Sequence, residues 1–339
     1  MKFKKVLLAS AALLATVTLA ACGSNNDTAN NNTDSGLSGN LTVYLPSPAG
    51  LADDLIARFQ EKTGVTVSQF QGTTGEITAR LEAEAANPIA DVVILASWSD
   101  GMELARQGKL LAVDIENSDK LHEGFTNAEN TMFGTSASAV GIAYNTQLFD
   151  SINVDWNELS ESKFHDQLAF PDPELSGSAK DFLAGFIHDK GEEDGWKTWQ
   201  ALADNGMIIP GANAATLESV VTGERGVLVG GVDWNVFAAI DRGEPLNFYY
   251  PAGGTVVNPR PAMILQSSQN QENAKAFIEF LLSDEAQQMV VDAFLIPGRS
   301  DVKSDKRPNM DEIHQLNTDW DWMVDNATNI NSKFNSLFR

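Results

Sequence analysis

The chain has 339 residues, with 46 acidic against 23 basic side chains and a formal charge of −23 at pH 7. Such acidity excludes a general nucleic-acid binder, which must neutralise phosphates, and a polybasic attachment to anionic lipid. A single cysteine excludes an intrachain disulfide and a Cys-based zinc site, while the length predicts about two folded domains.

Lys2, Lys4 and Lys5 precede an apolar run from Val6 to Ala21 that is short, terminal and followed by a cleavage-type sequence. Residues 1–21 therefore read as a secretory signal peptide rather than a spanning helix. Leu19-Ala20-Ala21-Cys22 reads as a bacterial lipobox, which makes Cys22 a lipid anchor. Residues 22–39 are small, polar and aperiodic, as a flexible tether is. No other apolar stretch reaches the length of a span, so the expected membrane contact is through the N-terminal lipid alone, outside the cytoplasm.

From Asn40 strands and helices alternate. Leu41–Leu45 alternates like a strand; Leu51, Leu55, Ile56 and Phe59 recur at helical spacing, with Gly64 as a stop. Val65–Phe70 is a second strand, and Ile77, Leu81 and Ala85 mark a helix ended by Asn87-Pro88. Asp91–Leu95 is a strand, and a helix covers about Gly101–Gln107. Strand and helix alternate again with strands at Leu168–Phe170, Met207–Ile209, Gly226–Val229 and Leu246–Tyr250. The helices between them cover Ser178–Asp189, Trp196–Ala203, Ala214–Val221 and Asp233–Ile240. Ala139–Asn145 and Val256–Leu265 are extended and apolar, suiting crossover strands at a hinge between two α/β lobes. Residues 270–282 and 284–294 return to the first lobe as helices, and Asp311–Phe338 reads as a closing helical tail.

In such sheets ligands bind at the carboxyl ends of the strands. The loops there carry Ser47, then Thr73-Thr74-Gly75, then Trp98 and Ser99, and in the second half Ser176. Each runs toward a helix N-terminus, where free N–H groups and the dipole favour an anion; each hydroxyl is equally placed to be an N-cap. Asp233 could accept from ligand hydroxyls or cap the helix that follows it, and Trp98 could stack on a ligand or fill a loop. Tyr249 and Tyr250 could bind ferric iron as phenolates, but adjacent strand residues point to opposite faces. The chain has no Gly-x-Ser-x-Gly elbow, no His-Glu-x-x-His and no Walker loop, and its histidines (122, 165, 188, 314) lack metal-ligand spacing.

The lipobox, Thr63-Gly64-Val65-Thr66-Val67, Gly72-Thr73-Thr74-Gly75-Glu76, Ala90-Asp91-Val92-Val93-Ile94 and Gly141-Ile142-Ala143-Tyr144-Asn145 follow one another in order. So do Ser176-Gly177-Ser178, Asn258-Pro259-Arg260-Pro261-Ala262 and Ile296-Pro297-Gly298-Arg299-Ser300. Over residues 40–302 this series resembles the extracellular solute-binding proteins of ABC importers. The branch is the one that takes ferric iron, hexose phosphates and 2-aminoethylphosphonate. The resemblance implies an α/β, two-lobed type II periplasmic-binding-protein fold, a Venus-flytrap with hinge crossover strands. It also implies a monomer without a cofactor that delivers a small-molecule solute to a permease and its ATPase. The expected lobes are 40–140 with 258–302, and 141–257, with a C-terminal tail over 303–339.

Ferric-binding relatives carry adjacent tyrosines where this chain has Asp233-Trp234, which favours a small organophosphate or phosphonate. Thr73, Thr74 and Gly75 are expected to hold its anion, assisted by Ser47, Ser99 and Ser176, with Asp233 accepting from the remainder and Trp98 covering it. Two alternatives stand: ferric iron on Tyr249 and Tyr250, and a secreted hydrolase using a carboxylate pair.

Overall fold

Period-two alternation builds the first sheet. In β1 (Asn40–Leu45), β3 (Val92–Ile94) and β8 (Val257–Ile264), Leu41, Val43, Val92 and Ile264 enter one core, while Tyr44, Val93 and Met263 enter another. Both faces are therefore covered, as strands of this apolar kind require. The first face lies under α1 (Ala49–Thr63), α8 (Gln271–Leu281) and α9 (Asp284–Asp292), through Phe59, Phe277, Ile278 and Ala286. α1 stops at Gly64, whose φ of 74° is a left-handed cap. The second face lies under α2 (Thr74–Ala83) and α3 (Trp98–Arg106), through Ile77, Trp98 and Leu104. β2 (Thr66–Gln71) and β3 flank β1 in parallel, and β8 returns antiparallel to β3.

The computed structural model describes residues 36–46 and 48–339. The leader, Cys22, most of the tether and Ser47 lie outside the described residues. Among those described, no helix is long and apolar enough to cross a membrane.

β4 (Phe133–Asn145) is buried at every position. Its first half pairs with β8 and with β9 (Ile296–Pro297); from Val140 it pairs with β6 (Val227–Val232), and from Ile142 with β7 (Leu246–Tyr249). β5 (Leu168–Ala169) lies parallel to β6. This second sheet packs Phe170, Phe182, Trp199 and Phe334 beneath α4 (Gly177–Lys190), α5 (Glu192–Asp204) and α10 (Trp320–Phe338). Phe170 and Trp199 meet edge to face with centroids 4.7 Å apart. On the opposite face Ala143, Ala169 and Leu228 meet α6 (Asn213–Val221) and α7 (Asp233–Asp241). The two lobes of the expected fold are these two sandwiched sheets.

Three local expectations shift. Met207–Ile209 makes one bridge, Ile208 to Ala169, rather than a strand. α3 begins at Trp98 rather than Gly101, because Ser97 caps it by accepting from the Asp100 amide. The tail is not one helix from Asp311. A 3-10 turn (Met310–Glu312) is followed by a bridge from Gln315 to Thr255, and α10 starts at Trp320 once Asp319 accepts from the Trp322 amide.

Phe170 sits at the centre of the second core and is wholly buried. Phe170→Ala is expected to cost about 3–5 kcal/mol of stability, read as a lower urea midpoint at an unchanged slope.

Candidate functional site

The helices α2, α4, α6 and α7 begin at one crevice, a cavity of about 440 Å³ between the two lobes. That volume suits a small solute, for which about 300–1,000 Å³ is usual. Thr73 and Thr74 open α2, Ser176 and Ser178 open α4, Asn213 opens α6, and Trp234 and Asn235 open α7; all line the cavity. Each helix puts a partial positive charge at its mouth. The cation of the cavity wall is Arg260, on β8. It is buried and donates to the Pro46 carbonyl at 2.5 Å. Burial pulls its pKa down to about 10, with Asp233 opposing, and it stays charged at neutral pH.

Local capping sets these side chains. Thr73 accepts from the Glu76 amide while Glu76 accepts from the Thr73 amide, a capping box that fixes the start of α2. Thr74 accepts from the Ala96 amide at 3.1 Å, tying this loop to the end of β3. Ser176 accepts from the Ala179 amide and donates to the Asn213 carboxamide at 3.0 Å, joining the starts of α4 and α6.

Of the residues expected from sequence, Thr73, Thr74 and Ser176 come together here. Gly75 is adjacent but faces the other lobe. Its amide points to the Leu175 carbonyl at 3.4 Å, and a Cβ on it would run into the Glu174 backbone. Three expectations are corrected. Trp98 is not a cover: its indole is packed among Leu104, Met132 and Met263 in the first lobe. Ser99 is buried and bonded to Asp181. Asp233 is wholly buried, and its carboxylate is fully engaged inside the protein. It accepts from Arg307 at 2.5 Å, Tyr250 at 3.0 Å, the Ala139 amide at 2.8 Å and the Trp234 amide at 2.7 Å. Nor is it the N-cap: that position is Val232, which makes no side-chain cap bond, and Asp233 is the first residue of α7.

Tyr249 and Tyr250 diverge, as strand neighbours must. The Tyr249 hydroxyl meets both the amide and the carbonyl of Val154, while Tyr250 is held by Asp233 and Arg307. Burial pushes Tyr249 up to about 12 and Tyr250 higher still, with the Asp233 charge adding to the latter, so neither phenolate forms readily. Among the described residues no group of three or more His, Cys, Asp or Glu is placed to hold a metal ion. Among the described residues lining the cavity the carboxylate is Glu76.

Arg260 and Trp234 are cavity residues to which the sequence reading gave no role. Arg260 lay in plain view as the charge inside Asn258-Pro259-Arg260-Pro261, an otherwise uncharged strand. A charge there needs a reason, because it must be desolvated.

Residues 87–326 match the family model for bacterial extracellular solute-binding proteins, and the chain belongs to that family. The chain is 28% identical over 251 residues to a putative 2-aminoethylphosphonate-binding periplasmic protein of Salmonella typhimurium, covering 72% of this chain and 73% of that one. Its fold matches the periplasmic binding protein AfuA of Actinobacillus pleuropneumoniae, solved with fructose-6-phosphate bound. The TM-score is 0.81 at 22% identity, over 88% of this chain and 98% of that one. It also matches iron-bound HitA of Pseudomonas aeruginosa, with a TM-score of 0.78 at 21% identity over 87% and 99% of the two chains. These likenesses establish the two-lobed binding-protein fold.

The Asp233–Arg307 pair has no exposed side-chain surface on either partner. Asp233→Ala, which strands the guanidinium, is expected to lower stability by about 3–5 kcal/mol, whereas Asp233→Leu combined with Arg307→Met recovers only the part owed to the stranded charge, because the Ala139 amide and the Tyr250 hydroxyl still lack their acceptor. Thermal and urea unfolding of the two variants beside the parent measure this.

Proposed function

We propose that this chain is the solute-capturing subunit of an ABC importer, which closes its two lobes over a small organophosphate or phosphonate and hands it unchanged to a membrane permease driven by an ATPase. The observation that carries the reading is the meeting of four helix N-termini with Arg260 in one interlobe cavity. A tetrahedral anion accepts from many directions at once, and this site offers hydroxyls, amides and one guanidinium from both lobes. Thr73 and Thr74 with Arg260 take the anion from the first lobe, and Ser176, Ser178 and Asn213 take it from the second. The indole of Trp234, which lines the cavity, is left to pack against the rest of the solute.

Closure then follows as a population shift, since a solute touching both lobes binds the closed form better. The lobes in this reading are 40–140 with 258–302, and 141–257, joined at β4 and β8. Lipidation at Cys22 would hold the chain at the outer face of the membrane. Nothing in the cavity calls for bond-making chemistry, in keeping with relatives named for binding.

Native mass spectrometry of the purified protein, followed by thermal-shift titration with fructose 6-phosphate, 2-aminoethylphosphonate, inorganic phosphate and Fe(III), tests the assignment. A phosphate ester or phosphonate should raise the melting temperature with concentration. A response to Fe(III) alone would remove the organophosphate reading. Arg260→Gln is expected to weaken the responding anion roughly ten- to a hundredfold, the worth of about 1.5–3 kcal/mol for a charged hydrogen bond, read as binding to the folded variant by titration calorimetry.

A further inference from the structure

Behind the cavity wall, one turn along α4 from Gly177, lies a carboxyl group that solute binding does not use. Asp181 is wholly buried. Each hydrogen bond its carboxylate accepts among the described residues comes from the start of α3, in the other lobe. The donors are Ser97 Oγ at 3.0 Å, the Trp98 amide at 2.9 Å and Ser99 Oγ at 2.5 Å. An acid of one lobe thus caps a helix of the other, where the dipole favours it. The surfaces around it are cut to meet. A Cβ on Gly177 would press on the Ala96 carbonyl, and Lys180 pairs with Asp100 alongside.

We propose that Asp181 is a positioning residue that locks the lobes together and links solute capture to proton uptake. The proposal rests on the two-lobed capture described above and adds its regulation. Parting the lobes strips the carboxyl of all three donors and returns it to water. Closing them buries it. Burial first, and then the negative charge of Asp100, push the closed-state pKa up to about 7 from an ordinary 3.8, against the pull of Ser99, Lys180 and Ser97. The closed form therefore holds the proton more tightly, and closure is favoured as pH falls from about 7 toward 4. Both protonation states can be fully bonded. Ser97 Oγ and Ser99 Oγ lie 3.1 Å apart, so the hydroxyls point at the carboxylate when it is ionised, and Ser99 turns to accept from it when it is neutral.

The charged groups facing Asp181 are few. α3 brings Asp100 and, one turn on, Glu103, which acts on Lys180; α4 itself brings Lys180. α10, packed on both α3 and α4, brings Asp321 and Asp325, each paired with Arg106 of α3.

Amide hydrogen exchange on the full-length chain between pH 5 and pH 8, corrected for intrinsic rates, reads the lock without any solute. Protection of the first turn of α3, and of Gly75 at the mouth of the crevice, should fall together by up to about tenfold per pH unit as Asp181 ionises. Protection in β6 should hold constant and report an intact fold. Asp181→Asn, which keeps the shape and cannot titrate, should flatten the profile. Ser99→Ala, which removes a bond favouring the ionised form, should move the midpoint to higher pH. A parental profile that is flat, an Asn variant that follows the parent, or an unmoved Ala midpoint overturns the proposal. Should no phosphate ester or phosphonate bind while the Asp181-dependent profile stands, the solute assignment falls and the lock survives.

Discussion

The 13-residue strand β4 belongs to both sheets, and the rest of the molecule is arranged around that sharing. Its first half is laddered to β8 and its second half to β6 and β7, so its register cannot slip in one lobe without breaking the other. Asp233 reinforces the joint from the side. Its carboxylate holds the Ala139 amide next to the point where β4 passes from one sheet to the other, and the buried Arg307 fixes the carboxylate in turn. A ribbon of β4 and β8 with two packed bodies at its ends is a hinge whose bending leaves both cores intact. The same ribbon places Arg260 at the floor of the crevice, because that residue pairs across from Ser136 on β4.

An acidic chain with the proposed anion site is less contradictory than its charge of −23 makes it look. Charges on the surface are screened over about 8–10 Å in physiological salt, while donors inside a walled cavity act at contact through a poorer dielectric. The overall charge slows the approach of an anion. What holds it is set by the few groups it touches, and in the proposed site those are helix mouths, hydroxyls and one guanidinium.

The fold was legible because it is written in two periods. Leu41 and Val43 against Tyr44, or Ile264 against Met263, declare which face each residue takes, and Gly64 marks its own stop. Part of the site was legible for the same local reason: Thr73, Thr74 and Ser176 stand where a strand's end meets a helix's start. The rest depends on information that is not local. Trp98 and Trp234 both sit at the start of a helix that follows a strand. Only the rotation of each helix on its sheet decides that one indole fills the core and the other faces the cavity. Asp233 looked available because its partner Arg307 lies 74 residues away in sequence, and Asp181 looked like any helical acid because its donors lie more than 80 residues upstream.

The serines at the start of α3 show how close that misreading came to the chemistry. Ser97, Ser99 and the Trp98 amide do form an anion site, built as the loops before α2 and α4 suggest such a site should be. The anion it takes is the protein's own, carried by α4 from the opposite lobe. A solute that spans Thr73 on one side and Ser176 on the other would give positive helix mouths from both sides a shared negative partner. The internal carboxyl, in the proposed lock, favours closure in its protonated form, so the solute would have to contribute only the difference that remains between open and closed at the prevailing pH.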